Sequence, residues 1–118
     1  MVPVLLAAAT KVYQGGIAVV NAAGYGVPGS TSTTQTYIGR FEETVDNSGG
    51  SAGAKSAMVR RKKAFAWKNS SADPVTQAGL FKDCYIVDDE TVAATNGTNT
   101  RSKAGKVIAI DSNGVWVE

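Results

Sequence analysis

Residues 106–117 constrain the fold more tightly than any other stretch of the chain. Lys106-Val107-Ile108-Ala109-Ile110 and Val115-Trp116-Val117 are two runs rich in β-branched and aromatic residues, and Asp111-Ser112-Asn113-Gly114 lies between them. Asp at the first position and Gly at the fourth suit a type I turn, and Gly accepts the left-handed backbone of the bulge that often follows. The segment reads as a β-hairpin. Cys84-Tyr85-Ile86-Val87-Asp88 has the same chemistry and supplies a third strand. A sheet built from these three runs would organise the rest of the chain.

Upstream, the chain breaks into short strand signals separated by small residues. Lys11–Gln14 and Ile17–Asn21 flank the turn Gly15-Gly16, and Asn21-Ala22-Ala23-Gly24 closes the second run. Tyr25–Thr36 reads as a long loop ending in a Ser/Thr-rich tract, and Asp46–Gly53 as a second flexible one. Thr36–Val45 reads as a strand with mixed faces. Lys55–Asn69 reads as another, with Val59, Phe65 and Trp67 on one side at period two and Ala64 and Ala66 on the other. Asp73 can cap, and Pro74 suits the first position of a single helical turn over 74–78, which Gly79 stops.

Six or seven short strands and at most one short helix predict a mainly β fold. The architecture expected is a small single-domain β-barrel or β-sandwich over residues 11–118. Met1 to Ala9 is apolar, so residues 1–10 read as an extended N-terminal arm. This segment lacks a positive n-region and contains Pro3, so no cleaved signal peptide is expected. No run approaches the roughly 20 apolar residues of a membrane span, and no membrane partner is expected.

The inventory of reactive residues is sparse. The chain has no histidine and one cysteine. Ser-His and Cys-His dyads, an intramolecular disulfide and thiolate metal clusters are therefore excluded, and neither enzyme activity nor a cofactor nor a metal is expected. A formal net charge of +2 provides no electrostatic footprint for nucleic acid. Asp88-Asp89-Glu90 is the one acidic cluster. Neighbouring strand residues point to opposite faces, so it reads as a polar turn rather than a calcium or acid–base site. Arg60-Arg61-Lys62-Lys63 reads as a solvated edge strand or a polar interface, and Cys84 as a small core hydrophobe. Asn69-Ser70-Ser71 and Asn96-Gly97-Thr98 match the glycosylation pattern, which has meaning only in a secreted chain.

Several segments together resemble a known family. They are Asp73-Pro74-Val75-Thr76-Gln77-Ala78, Cys84 through Ala93, Thr100-Arg101-Ser102, Ala104-Gly105-Lys106-Val107, Ile110-Asp111 and Gly114-Val115-Trp116-Val117, with Gly39 and Val45-Asp46-Asn47 upstream. They look like the small structural proteins of tailed bacteriophages that act as capsid decoration, or cement, proteins. The resemblance covers residues 35–118 and is concentrated in the last third. It implies a virion protein on the outer surface of the phage head, with the major capsid protein as partner and no catalytic residues.

Such a role needs a compact sheet, an arm or edge that docks, and loops that reach neighbouring subunits. The arm Met1, Val2, Pro3, Val4, Leu5 and Leu6 is expected to lie against a capsid subunit, adding a strand to an exposed edge. The loops containing Tyr25, Val27, Thr33 and Thr34, and Asn47, Ser48 and Lys55, are expected to touch neighbouring protomers or the capsid. Self-association as a trimer would place a closed ring over a three-fold junction. The alternative is a surface carbohydrate- or host-binding β module, suggested by long Ser/Thr/Gly loops and by Trp67 and Trp116 if either is exposed beside Tyr25 or Tyr37.

Overall fold

In the computed structural model, which describes residues 1–118, short strands alternate with tight turns along the whole chain. The strands are β1 Val2–Leu5, β2 Thr10–Val12, β3 Ile17–Val20, β4 Gly26–Pro28, β5 Thr36–Phe41, β6 Val45–Asn47, β7 Ser56–Arg61, β8 Phe65–Asn69, β9 Asp83–Ile86, β10 Thr91–Ala93, β11 Lys103–Asp111 and β12 Gly114–Val117. One 3-10 turn, Gln77–Gly79, is the sole helical element. The protein is mainly β, as the alternating sequence predicts.

The strands form two large bodies. The N-terminal one is a five-stranded sheet in the order β1-β7-β5-β3-β4, with the β2–β6 pair beside it. Its two end strands meet at a parallel bridge between Leu6 and Gly26, where Ala7 N–H donates to the Gly26 carbonyl at 3.0 Å. A Cβ on Gly26 would lie 2.9 Å from Val4 Cγ1 and 3.2 Å from Leu6 Cδ2, so this close approach favours glycine. The C-terminal body is a closed barrel, β10-β8-β12-β11-β9, in which only the β10–β8 pair is parallel. Closure leaves the barrel without a free edge.

Each body has its own core. Leu6, Val12, Ala18, Phe41, Ala57 and Val59 fill the first. Phe65, Trp67, Val75, Cys84, Ile86, Val92, Ala104, Val107, Val115 and Val117 fill the second, joined by Ile17 and Val19 from β3. Strand β3 therefore serves both cores. Successive side chains point to opposite faces, so Ala18 enters one core while Ile17 and Val19 enter the other. A strand buried on both faces reads as a continuous apolar run, which is what Ile17-Ala18-Val19-Val20 is.

The hairpin forms as expected. Asp111 pairs with Gly114, Asn113 N–H donates to Asp111 Oδ1 at 2.8 Å, and Gly114 takes φ +126°. A Cβ at Gly114 would collide with the Trp67 carbonyl oxygen, so the turn requires glycine for space as well as for conformation.

Other expectations are corrected. Residues 55–69 are two strands, because Lys62 takes φ +60° and turns the chain. Val59 accordingly packs in the N-terminal core, while Phe65 and Trp67 pack in the barrel. The strand over 36–45 ends at Phe41, and Glu42 leaves it to meet two arginines. The loop over 25–36 contains β4. The helical turn over 74–78 is displaced to Gln77–Gly79, without a side-chain cap. Asp73 is recruited elsewhere: its Oδ2 accepts from Arg101 Nη1 at 2.9 Å and from the Thr95 backbone at 3.1 Å. Residues 1–10 are no free arm, since Val2–Leu5 pairs with β7 from Val2↔Val59 to Leu5↔Ser56.

Candidate functional site

The exposed apolar surface starts from the alternation of β1. Val2 and Val4 pack against the N-terminal core and Leu6 is fully buried in it. Pro3 and Leu5 therefore face out, and Leu5 is 53% and Met1 62% exposed. Leu5 has company. A Cβ added to Gly53 would lie 3.7 Å from Tyr25 Cε1 and 3.9 Å from Leu5 Cδ1, so Gly53 lies beside both side chains.

Loop 48–55 is fastened beneath this patch. Leu6 N–H donates to the Lys55 carbonyl at 2.9 Å, Gly53 N–H to the Leu6 carbonyl at 2.8 Å and Ala9 N–H to the Gly50 carbonyl at 3.1 Å. Asn47 Nδ2 donates to the carbonyls of Ala7 (2.9 Å) and Ser51 (3.1 Å). Lys55 Nζ caps the Asp46 carbonyl at 2.8 Å. The patch is held by backbone and side-chain bonds within the chain itself.

Leu6 and Asn47 are corrections to the expected contact set. Both are buried, because Leu6 is a core residue and Asn47 is the clamp between the N-terminal segment and the loop. Asn47 Oδ1 has no hydrogen-bond partner, and the Cα of Gly50 packs over it. Leu5, Tyr25 and Lys55 share the N-terminal body, with Ser48 exposed on the same loop as Lys55. Val27 is half-buried and packs against the barrel core. Thr33 and Thr34 are exposed but belong to the barrel: Thr31 Oγ1 donates to the Val87 carbonyl at 2.8 Å, and Gln35 N–H to Ser102 Oγ at 3.1 Å. The two loops are thus separate surfaces.

The polar candidates resolve into structure. Asp88 Oδ1 accepts the Glu90 N–H at 2.9 Å, and Glu90 meets Lys68 at 3.3 Å. Burial, then the carboxylates of Asp88 and Glu90, push the Asp89 carboxyl above its ordinary range. No three His, Cys, Asp or Glu side chains are grouped to hold a metal ion. Burial pushes the Cys84 thiol up to about 12, which removes thiolate at neutral pH. The run 60–63 is no edge strand, since β7 lies between β1 and β5. Arg60 Nε bonds Glu42 Oε1 at 2.7 Å and Arg40 Nε bonds Glu42 Oε2 at 2.8 Å. These bonds, Arg40 first, hold the Glu42 carboxyl down at about 2. Arg61, Lys62 and Lys63 remain exposed without ion-pair partners.

Comparison of the chain with protein-family models, curated proteins and solved structures finds no match. Trp67 is 3% exposed and donates to the Tyr37 hydroxyl at 3.1 Å, whereas Trp116 is half-buried on the outer side of β12 and donates to Asp111 Oδ2 at 2.9 Å. Burial raises the Tyr37 phenol to about 12. Two features escape sequence reasoning. One is a depression of about 310 Å³ lined by Gln14, Gly15, Arg40, Glu42, Ala66 and Trp67, between the two bodies. The other is Phe81, 68% exposed with φ +62°. Gly79 nearby signals a turn, but nothing in the sequence signals that the aromatic ring is left in solvent.

Proposed function

We propose that the protein is a phage head decoration protein that binds the outer surface of the major capsid protein lattice as a closed oligomer, most simply a trimer, and stabilises the shell. The observation that carries this reading is the outward apolar strip of the N-terminal edge, Met1 and Leu5 near Tyr25, beside a loop hydrogen-bonded to that edge. A role in binding rather than catalysis suits a chain whose thiol is buried and whose Glu42 and Asp88 carboxylates are committed to an ion pair and a turn. The family resemblance of residues 35–118 points to the same role.

The geometry refines how docking works. An arm that already pairs with β7 does not need to leave its sheet to bind. The outer edge of β1 is also a poor template for a new strand, because Pro3 has no N–H to donate. Docking is therefore through the side chains of Met1 and Leu5, with Tyr25, Ser48 and Lys55 at the margin. Ring closure lets several weak contacts add as avidity. A ligand that binds only the assembled lattice raises the lattice's stability by mass action.

The test is to mix purified protein with undecorated, expanded heads. Saturable binding in fixed ratio to capsid subunits, with a higher melting temperature of the heads, is the expected result. Heads that melt unchanged and sediment without the protein would reject the reading. The carbohydrate-binding alternative is less favoured, because Trp67 is buried and Tyr37 is spent on its indole N–H.

A further inference from the structure

Two Asn-Gly pairs occur in the chain, Asn96-Gly97 and Asn113-Gly114, and the fold treats them differently. An Asn-Gly pair is chemically labile because glycine has no Cβ to hinder attack of its own backbone nitrogen on the preceding side-chain amide. Asn96 is tied at both ends of that amide: its Nδ2 donates to Asn99 Oδ1 at 3.1 Å, and its Oδ1 accepts the Asn99 N–H at 3.2 Å. Its carbonyl also accepts from the N–H groups of Thr100 (2.9 Å) and Arg101 (3.0 Å). Asn113 is exposed at the tip of the β11–β12 hairpin. Its backbone N–H bonds Asp111 Oδ1, and its side-chain amide bonds nothing.

We infer that Asn113 is a site of spontaneous covalent modification, deamidation through a succinimide, from which Asn96 is protected by its hydrogen bonds. The Gly114 nitrogen attacks Asn113 Cγ. The N–Cγ bond forms, the Cγ–Nδ2 bond breaks, and ammonia leaves carrying the proton lost from the Gly114 nitrogen. Water then opens the ring at either carbonyl, to aspartyl or isoaspartyl. No electrons are exchanged with an outside reagent, and water is the sole co-reactant.

The consequence reaches the barrel. The isoaspartyl product inserts an extra carbon into the backbone beside Gly114, whose Cα already packs against the Trp67 carbonyl too closely for a side chain. Strand β12 follows at once, with Val115 and Val117 fully buried between β11 and β8. Either product adds a negative charge beside the Asp111 carboxylate that holds Trp116 Nε1. Modification at this one exposed turn therefore loosens the closed barrel, and the hairpin sets a lifetime for the folded protein.

The test is incubation of the full chain at mildly alkaline pH, followed by peptide mass mapping and enzymatic methylation of isoaspartyl groups. Conversion at position 113 severalfold ahead of position 96 is expected, with the converted fraction melting at lower temperature. Asn99→Ala, which frees the Asn96 amide, should speed conversion at 96, and Asn113→Gln should remove the dominant product. In denaturant the two sites should convert at similar rates. Equal or faster conversion at 96 in the folded protein, or a site difference that persists in denaturant, would overturn the inference.

Discussion

The N-terminal sheet and the C-terminal barrel are built from the same kinds of strand but finish their edges differently. The barrel closes through the β10–β8 pair and packs ten of its own residues with Ile17 and Val19 of β3 into one core. The sheet closes only at the Leu6–Gly26 bridge and encloses six buried residues. The barrel buries its apolar residues apart from Phe81, which lies beside β11 and is 68% exposed. The sheet leaves Met1 and Leu5 outside on its end strand. On the proposed reading the barrel supplies stability and the sheet supplies the docking face. Shared strand β3 couples them, so the halves should unfold together.

The largest expected effect tests that coupling. Trp67→Ala removes the ring that packs on Phe65, with centroids 6.0 Å apart, and should cost about 3–5 kcal/mol. Thermal unfolding followed by circular dichroism and by fluorescence of Trp116 should still give one coincident transition. Two separated transitions would mean that the bodies are independent domains despite β3.

Leu6→Ala sharpens the contrast between anchor and docking residue. Leu6 is fully buried, so truncation should cost about 2–4 kcal/mol in chemical denaturation. Deleting Met1–Leu6 should destabilise the N-terminal body rather than leave it intact. Unchanged stability in both variants would return this segment to the status of a free arm.

Glu42 steadies an arginine that reaches from the N-terminal sheet to the barrel. It is pinned by Arg40 and Arg60, and the Arg40 guanidinium also lies 4.8 Å from the centroid of Phe65 in the barrel. The folded carboxyl sits at about 2, below its ordinary value of 4.5. Its contribution is therefore fully present above pH 4.5 and is lost as pH falls toward 2. Both arginine side chains are more than a third exposed, so solvent screening holds the effect to about 1–2 kcal/mol. Glu42→Gln should lower stability by that amount at neutral pH and flatten the acid limb of a pH–stability profile. An unchanged acid limb would remove Glu42 as its cause.

The smallest effect on stability should bring the largest effect on attachment. Leu5→Ser at an exposed position should change stability by less than about 0.5 kcal/mol while weakening binding to heads. If binding is unaffected, the docking face lies elsewhere.

The parts of this molecule that could be read from sequence are those fixed locally. Asp111-Ser112-Asn113-Gly114 carries its turn in four adjacent residues, and its hairpin forms where expected. The turn at Lys62 could not be read, because a lysine at φ +60° is imposed by what the flanking strands pair with: β7 joins β1 and β5, and β8 joins β12 and β10. Asp73 looked like a helix cap because its partner Arg101 is remote in sequence. Asn47 reads as an interface residue of its loop, whereas its amide reaches back to Ala7 and the side chain is buried. The alternation of Val2, Val4 and Leu6 against Pro3 and Leu5 was present to be read as a strand with one core face. Only the partner strand β7 shows that the face belongs to the domain itself.

The most direct test of the account is an image of the protein on its particle at a resolution that orients the chain. The account predicts density on the outer surface of the shell, arranged as a closed ring, with Met1, Leu5 and Tyr25 against the capsid. A particle without such density, or one in which that face points to solvent while the Thr33-Thr34 loop meets the shell, would contradict it.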